Sequence, residues 1–589
     1  MDSEAVTLHL PSDLPNGREV LAQGASAGQN VAIGKSLVCE QFGVQSELEY
    51  KQKMRDSGRV MTTLNIGLQT WADTARALRQ IHEECDRRGF RIDRYQMQMD
   101  RRMGVPVESR LRAAKETGPL LETKQDWYET THTVPIQPGF GDMMIGSPMS
   151  LENATRALEV GITYIGNMSQ FAWKFPSWSG TDVDQMVEMT KALGLMAAKR
   201  EEGATMQSYL DDGFPAQFQD FTSYIGWAMF ERFIVTEVVG ARLAISYGGL
   251  THDPIMKAAI TMALEAITPE GTFNPFYHCN TTVYKPEIDI NYGILGVDML
   301  YLLLVQHKLR TGAAVLPIPV TEAIRIPSWQ EIVEVHAITR RIADYIPGLS
   351  DFVDWARLER LRDELLEGGK RFFDNVCNGL SDMGVDLNDP LMVLIAVRRM
   401  GAVQIERYFG VGPLDSEAAG DLRTPLVPTD TFRDLVEKQK TVRDNFISRN
   451  VQKPETQLRL IVASTDVHEF GMHLLVDALK SLSIEPIVGG TGVDPDELSD
   501  LALEVDAFAL LVSTHNGMAL TYAQQLLSEL HSRGLGSIKI LFGGILNQDF
   551  EGSDTPIDVR EDLRALGIIV CNDVTDIPEA LGLVYANAG

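Results

Sequence analysis

The sequence predicts an α/β protein of two units, a (β/α)8 TIM barrel followed by a flavodoxin-like, doubly wound domain at the carboxyl end. Three observations carry this reading. Short apolar segments alternate with amphipathic stretches eight times over about residues 55–350, polar NVQKPETQ then interrupts the chain, and from residue 456 the same rhythm repeats five times. Parallel strands covered by helices on both faces read as short apolar runs rather than alternating ones, which is the pattern here.

Residues 1–54 are polar, glycine-containing and weakly periodic, which predicts an extended N-terminal arm. The barrel strands are expected at RVMTTLNIG, FRIDRYQMQMD, TVPIQPGFGD, GITYIGNMS, LMAAKREEG, ARLAISYGG, TFNPFYHCN and AVLPIPV. Helices such as WADTARALRQIHEECDRRG, SLENATRALEVG and DVDQMVEMTKALG fill the gaps, with apolar residues three and four apart. In such a barrel the chemistry belongs at the carboxyl ends of the strands. Residues 351–455, containing WARLERLRDELLEGG and DTFRDLVEKQKTVRDNF, read as a helical extension and linker. Residues 456–589 supply strands LRLIVAST, EPIVGG, AFALLVST, IKILFGGIL and IIVCNDV, whose ligand would sit outside their carboxyl ends.

Composition narrows the function. A chain of 589 residues with 44% hydrophobic content has room for two or three ordinary domains. A net charge of −28 argues against a broad nucleic-acid face, so no such partner is expected. The opening MDSEAVTLHLPSDL lacks a basic start and an apolar run, and stretches such as MLYLLLV are short for a bilayer, so a cytoplasmic protein with no membrane partner is expected. Cys39, Cys85, Cys279, Cys377 and Cys571 form no CxxC pair and no zinc spacing, and read as reduced, structural thiols.

The stretch TDVHEFGMHLL places Asp466 and His468 just after the first strand of the second unit. Ser513 closes its third strand, and Gly543 and Gly544 its fourth, so all fall on one edge. A histidine with one ring nitrogen held by a carboxylate has a fixed tautomer and a more basic free nitrogen, which suits metal ligation. Asp466 is spaced to do this for His468. Gly471, Gly543 and Gly544 allow backbone and ligand to approach closely. Singly, a histidine is more often a packing residue and Gly-Gly a turn. Jointly, the pattern D-x-H-x-x-G, serine after strand three and Gly-Gly after strand four resembles the cobalamin-binding domain of adenosylcobalamin mutases and methionine synthase. The resemblance implies that His468 is the lower axial cobalt ligand in place of the cofactor's dimethylbenzimidazole, with Asp466 behind it. It also implies that the nucleotide tail enters past Gly471, Ser513, Gly543 and Gly544. The family's Ser-x-Leu is here Ser513, Thr514, His515.

The expected barrel resembles the catalytic subunit of glutamate mutase over roughly residues 55–420, most clearly at TEAIRIP, Thr321 to Pro327. That resemblance implies adenosyl contacts at Glu322 and Ile326, although a glutamate favoured by a helix dipole is nearly as good a reading of Glu322 alone. It adds Gly67, Tyr284 and Pro176 to the cofactor face. The family grips its dicarboxylate with three arginines, suited to bidentate recognition. Here Asn65 and Met144 stand at the first and third, and Arg101 or Arg102 at the second; both arginines read equally as surface charge. The family's glutamate near the substrate amine falls on Asn167, its tyrosines on Trp173 and Ser177, and its Arg-Glu pair on Arg200 and Glu201, expected after strand five. The pocket so implied by Asn65, Asn167, Trp173 and Met144 is less anionic and more apolar, with one substrate carboxylate held by Arg101 or Arg102, and Glu322, Asn167 and Arg101 are the expected catalytic set.

The expectation is a single-chain, homodimeric, adenosylcobalamin-dependent carbon-skeleton mutase acting on a small acid other than glutamate, fused as in 2-methyleneglutarate mutase. Two alternatives stand beside it: a corrinoid-binding methyl carrier or sensor with a non-mutase barrel, and a barrel that binds cofactor without turnover.

Overall fold

In a computed structural model, residues 8, 10–113, 115, 117–414, 423–454, 457–466, 470–515, 517–548, 550 and 557–583 are described. Contacts divide the chain into two units. Unit 1 comprises residues 1–106, 118–172 and 179–430, and unit 2 comprises residues 107–117, 173–178 and 431–589.

Unit 1 is built on β1 (Met61–Ile66), β2 (Arg94–Met97), β3 (Gln137–Gly139), β4 (Tyr164–Ile165), β5 (Thr205–Tyr209), β6 (Leu243–Ser246), β7 (Phe276–His278) and β8 (Ala314–Leu316). They pair in the orders β3-β2-β1-β8-β7 and β4-β5-β6, all parallel. Single parallel bridges, Phe140 to Ile165 and Tyr247 to Tyr277, link the two sets, so the pairing order returns to its start. The Arg94 guanidinium lies 5.5 Å from the Phe276 ring centre, which puts both on the inner side; by alternation Gln96 and His278 face the same way. Glycines on β3 and just after it make room for these side chains. A Cβ at Gly139 would lie 1.9 Å from the Arg94 guanidinium, and one at Gly141 1.8 Å from the Gln96 amide.

Two expectations need correction. LMAAKREEG is not a strand: Leu195–Ala198 ends the helix Asp182–Ala198, Arg200–Glu202 is a 3-10 turn, and β5 is the TMQSY that follows. Gly194, which reads as a stop, lies inside the helix, where a Cβ would come within 2.1 Å of the Leu21 carbonyl. The N-terminal arm is not extended either. It folds as helices Gly17–Gln29, Leu37–Phe42 and Glu47–Asp56, each begun by a side-chain cap from Asn16, Ser36 or Ser46. Its glycines are contact points: a Cβ at Gly24 would meet the Lys191 carbonyl at 1.8 Å. From the third helix the buried Lys51 Nζ donates to the carbonyls of Asn274 and Pro275 at 3.2 and 2.9 Å, where the chain enters β7.

The helix Ile288–Leu309 corrects a third point. It is long and apolar enough to cross a membrane, by length and composition alone. Here it runs from β7 to β8 and buries Leu295, Met299, Leu302 and Leu303. The unit boundary also falls at residues 430/431 rather than 455/456. Trp355–Asp382 and Pro390–Phe409 belong to unit 1, whereas the helix Asp430–Ser448 sends Val442 and Phe446 into the unit 2 core beside Leu460, Val462 and Leu511.

Unit 2 is a parallel sheet of β9 (Leu460–Ser464), β10 (Ile487–Gly490), β11 (Ala509–Thr514), β12 (Lys539–Gly544) and an edge strand, Ile569–Val570, ordered β10-β9-β11-β12-edge. Apolar clusters cover both faces. The chain leaves β9 toward one edge and returns through β11 toward the other, so the crevice outside the ends of β9 and β11 is the switch point where ligands of such sheets bind.

Candidate functional sites

At that switch point Asp466 is fully buried. Its Oδ2 accepts from the His515 backbone N–H at 2.8 Å and from the Thr465 hydroxyl at 3.2 Å, while its carbonyl accepts from Gly492 N–H at 3.1 Å. The carboxylate is thereby fixed across the ends of β9 and β11. His468 lies outside the described residues, so its expected partnership with Asp466 is not placed. Gly471 stands in the first turn of the helix Phe470–Ser481, and a Cβ there would lie 2.5 Å from the Ser513 hydroxyl. Serine and glycine therefore share one narrow cradle. Gly544 has φ +94°, and a Cβ would meet the Thr514 carbonyl at 2.3 Å; at Gly543 a Cβ would find only ordinary contact with Cys571.

Unit 1 gathers polar groups where its strands end. Asn65 on β1 is half-buried, and its Oδ1 meets no partner among the described residues. Arg102 is committed to Asp100 through hydrogen bonds of 2.7 to 3.0 Å, and Arg101 is only 7% exposed, so neither is surface charge. Met144 is completely buried, its N–H bonded to the Gly166 carbonyl. A Cβ at Gly67 would lie 2.0 Å from the Gln98 carbonyl, so that glycine serves backbone packing. Tyr284 is buried and donates to the Ile318 carbonyl at 3.1 Å, tying the segments after β7 and β8 together. Glu322 is exposed in a turn, ahead of the helix Trp329–Ala343, and Ile326 is half-buried. Trp173, Pro176 and Ser177 belong to unit 2, where the Ser177 N–H donates to Asp494 at 2.6 Å. Glu201 precedes β5 and is 92% exposed, which corrects its expected place after the strand.

Asn167 is buried and fully engaged. Its Oδ1 accepts from Ser169 N–H at 3.1 Å and Tyr209 N–H at 2.9 Å, and its Nδ2 donates to Asp212 at 2.9 Å. Gln170 does the same one step away, accepting from Met143 N–H at 2.9 Å and donating to Asp142 at 3.1 Å. Asp211 accepts from the Tyr224 hydroxyl at 2.7 Å and from Gly248 N–H at 2.8 Å. Burial, then the neighbouring Asp142 and Asp211, hold the Asp212 carboxyl well above its ordinary range, and burial pushes Asp142 up to about 7. Burial also lowers His278 to about 4, keeping the imidazole neutral 5.8 Å from the Tyr209 ring. The expectation of a less anionic pocket around Asn167 is therefore corrected: carboxyls crowd these strand ends. Sequence reasoning missed Asp142, Asp211, Asp212, Tyr209 and His278. The signals were PGFGD and YLDDG, acids directly behind strands, and the second was hidden by the misplaced fifth strand. Among the described residues no group of three or more His, Cys, Asp or Glu is placed to hold a metal ion.

No family model matches the sequence. Over 129 residues, 22% of this chain and 84% of the relative, it is 31% identical to glutamate mutase sigma subunit 2 of Haloarcula marismortui. Over 109 residues, 18% of this chain and 80% of the relative, it is 27% identical to the 2-hydroxyisobutanoyl-CoA mutase small subunit of Aquincola tertiaricarbonis. A crystal structure of a cobalamin-binding protein from Desulfitobacterium hafniense covers 26% of this chain and 69% of that one at 18% identity, with a TM-score of 0.20.

Proposed function

The chain belongs to the family of the glutamate mutase sigma subunit, and from that premise we propose that it is a single-chain adenosylcobalamin-dependent carbon-skeleton isomerase acting on a small acid other than glutamate. The observation that carries the cofactor is the cradle of Gly471 and Ser513 beside the fixed carboxylate of Asp466, at the switch point of a parallel sheet. These residues fit a corrinoid: a serine hydroxyl faces space that a Cβ at 471 would fill, and Asp466 closes the adjoining strand end.

We read the circular pairing of β1–β8 as a TIM barrel and its carboxyl end as the catalytic site. When bound, the cofactor supplies radical chemistry that no side chain can perform. The chain's part is to hold and exclude. His468 would take the cobalt, with Asp466 orienting the strand end behind it. Ser513, Gly471, Gly543 and Gly544 would take the nucleotide tail. Tyr284, Glu322 and Ile326 would meet the adenosyl group. Arg101 would bind a substrate carboxylate, its planar fork matching two oxygens. We further propose a cytoplasmic homodimer.

The test is cobalamin binding by the purified protein, followed by the spectrum of cobalt(II). Wild type should show a histidine nitrogen on cobalt and His468→Ala should not. Dimethylbenzimidazole still bound to cobalt in wild type would refute the role of His468. Deuterium exchange between small acids and the 5′-deoxyadenosyl carbon then separates a mutase from a methyl carrier or sensor, which would give none.

A further inference from the structure

Resting on the reading of the chain as a homodimer, we propose that its interface is the outer face of the helix Ile288–Leu309, packed antiparallel against the same helix of a second copy about a twofold axis near the helix centre.

An outer helix ordinarily buries one face and shows charge on the other. The helix Trp71–Arg87 does so, turning Arg76, Asp86 and Arg87 outward. The helix Ile288–Leu309 does not. From Ile290 to Gln306 its single charged side chain is Asp298, which is buried and paired with Lys257 at 2.9 Å. Its outward residues are apolar instead: Ile290 is 53% exposed and Val297 46%, with Ile294 and Leu300 half-buried beside them. The short helix Ile346–Leu349 lies against it, flanked by Tyr345 and by Phe352, which is 87% exposed. A helix of 22 residues is about 33 Å long and roughly 10–12 Å across, so this face alone offers on the order of 350 Å². Exposed aromatic side chains of roughly 150–250 Å² each then bring it toward the ~800 Å² that one partner gives to a stable interface. Apolar patches of this size mark interaction surfaces.

Charge identifies the occupant as a second copy. Glu287 and Asp289 are exposed at one end of the helix, and Lys308 and Arg310 at the other. Lys308 rests 5.2 Å from the Trp355 ring centre, and none of the four is in an ion pair among the described residues. An axis at the helix midpoint sets Glu287 opposite Arg310 and Asp289 opposite Lys308, and does so twice. A parallel copy would set acid against acid. Such self-complementarity is what an isologous interface requires. Glycine adds an independent reason. Gly293 and Gly296 lie inside the helix, where glycine is disfavoured, and a Cβ at either would meet nothing within 4 Å. Contacts within the chain therefore do not explain them, whereas a helix approaching closely from outside does, because the side chains at the contact set the distance between helix axes. A bilayer fits less well: anionic lipid would repel the two acids and a chain of net charge −28, and the opposite side of the helix is already packed through Leu295, Met299 and Leu302.

Sedimentation of the full chain without corrinoid tests this. Wild type should be a dimer at micromolar concentration. Val297→Glu, which enters a twofold interface twice, should raise the dissociation constant at least about a hundredfold while the circular dichroism spectrum stays unchanged. Should that variant not fold, charge reversal reads the same face from its rim. Glu287→Lys with Asp289→Lys should weaken the dimer, Lys308→Glu with Arg310→Glu should weaken it too, and an equimolar mixture of the two variants should recover a mixed dimer. Val297→Cys, near the axis, should cross-link to its copy on oxidation, whereas Leu309→Cys, roughly 30 Å from its own copy in this arrangement, should not. A wild-type dimer that Val297→Glu leaves intact would keep the homodimer and overturn this interface, as would charge variants that do not pair when mixed. A monomeric wild type, alone or floating with phosphatidylcholine vesicles, would overturn both. Cobalamin binding, followed by visible absorbance on the same preparations, fails or succeeds separately, so loss of the isomerase reading is distinguishable from loss of this interface.

Discussion

Gly471 and Ser513 meet where a single methyl group decides the outcome. A Cβ at 471 would lie 2.5 Å from the Ser513 hydroxyl, an atom that can rotate away, so Gly471→Ala should cost only about 1–2 kcal/mol of stability. Replacing Ser513 by alanine in that background should recover most of the loss, because the partner of the clash is gone. Denaturant unfolding of the two single variants and the double measures the coupling; purely additive losses would show that the contact is not the cause. Gly471→Val should lower cobalamin affinity tenfold or more, since its branches fill the cradle that serine faces. Asp220 is another residue on which a segment hangs. Its carboxylate accepts from Thr222, Leu426 and Val427 N–H at 2.8, 2.6 and 3.2 Å, and Asp220→Ala should cost on the order of 2–4 kcal/mol by leaving buried donors unmet. Limited proteolysis should then cut near residue 426 in the variant and not in wild type.

Among elements, the N-terminal helix Gly17–Gln29 is the most instructive. At Gly24 the opposing atom is the Lys191 backbone carbonyl, which cannot rotate aside, so Gly24→Ala should be costlier than Gly471→Ala, about 2–3 kcal/mol, unless the helix detaches. Equilibrium unfolding compared with protease release of residues 1–54 distinguishes these responses. The glycines that make this packing close are what made the segment read as an arm, because propensity penalises glycine where only a tertiary partner explains it. The same physics hid β5: Gly194 looks like a helix stop but is a contact with Leu21, so the strand was sought one segment early. Strands with clean apolar runs, such as LRLIVAST and AFALLVST, were legible because both of their faces are covered. The switch-point residues were legible from order alone, since strand ends of a parallel sheet converge. Asp142 and Asp212 were not, because their placing depends on the Gln170 and Asn167 amides that bond to them, which spacing does not encode.

At the scale of the molecule, burial of acids sets the response to pH. Glu406, half-buried and accepting from Gln219 and Asp220 N–H at 2.8 and 3.1 Å, is pushed up to about 7, chiefly by loss of solvent; Glu265, also half-buried and held by Asn274 at 2.9 Å and by Tyr277, is pushed up to about 7 for the same reason. Unfolded, each would titrate near 4.5. Between those values the folded chain binds more protons than the unfolded one, so stability falls as pH rises from about 4.5 through 7. A net charge of −28 adds self-repulsion in the same direction as carboxyls ionise. Wild type should therefore melt higher at pH 5 than at pH 8. Glu406→Gln, which stays neutral, should match wild type near pH 5 and exceed it at pH 8 by on the order of 1–3 kcal/mol, the scale of such a shift in a half-buried group. Scanning calorimetry across that range checks it. An equal pH slope in variant and wild type would mean that Glu406 titrates alike in the folded and unfolded chain, and that its two backbone donors fully offset its burial.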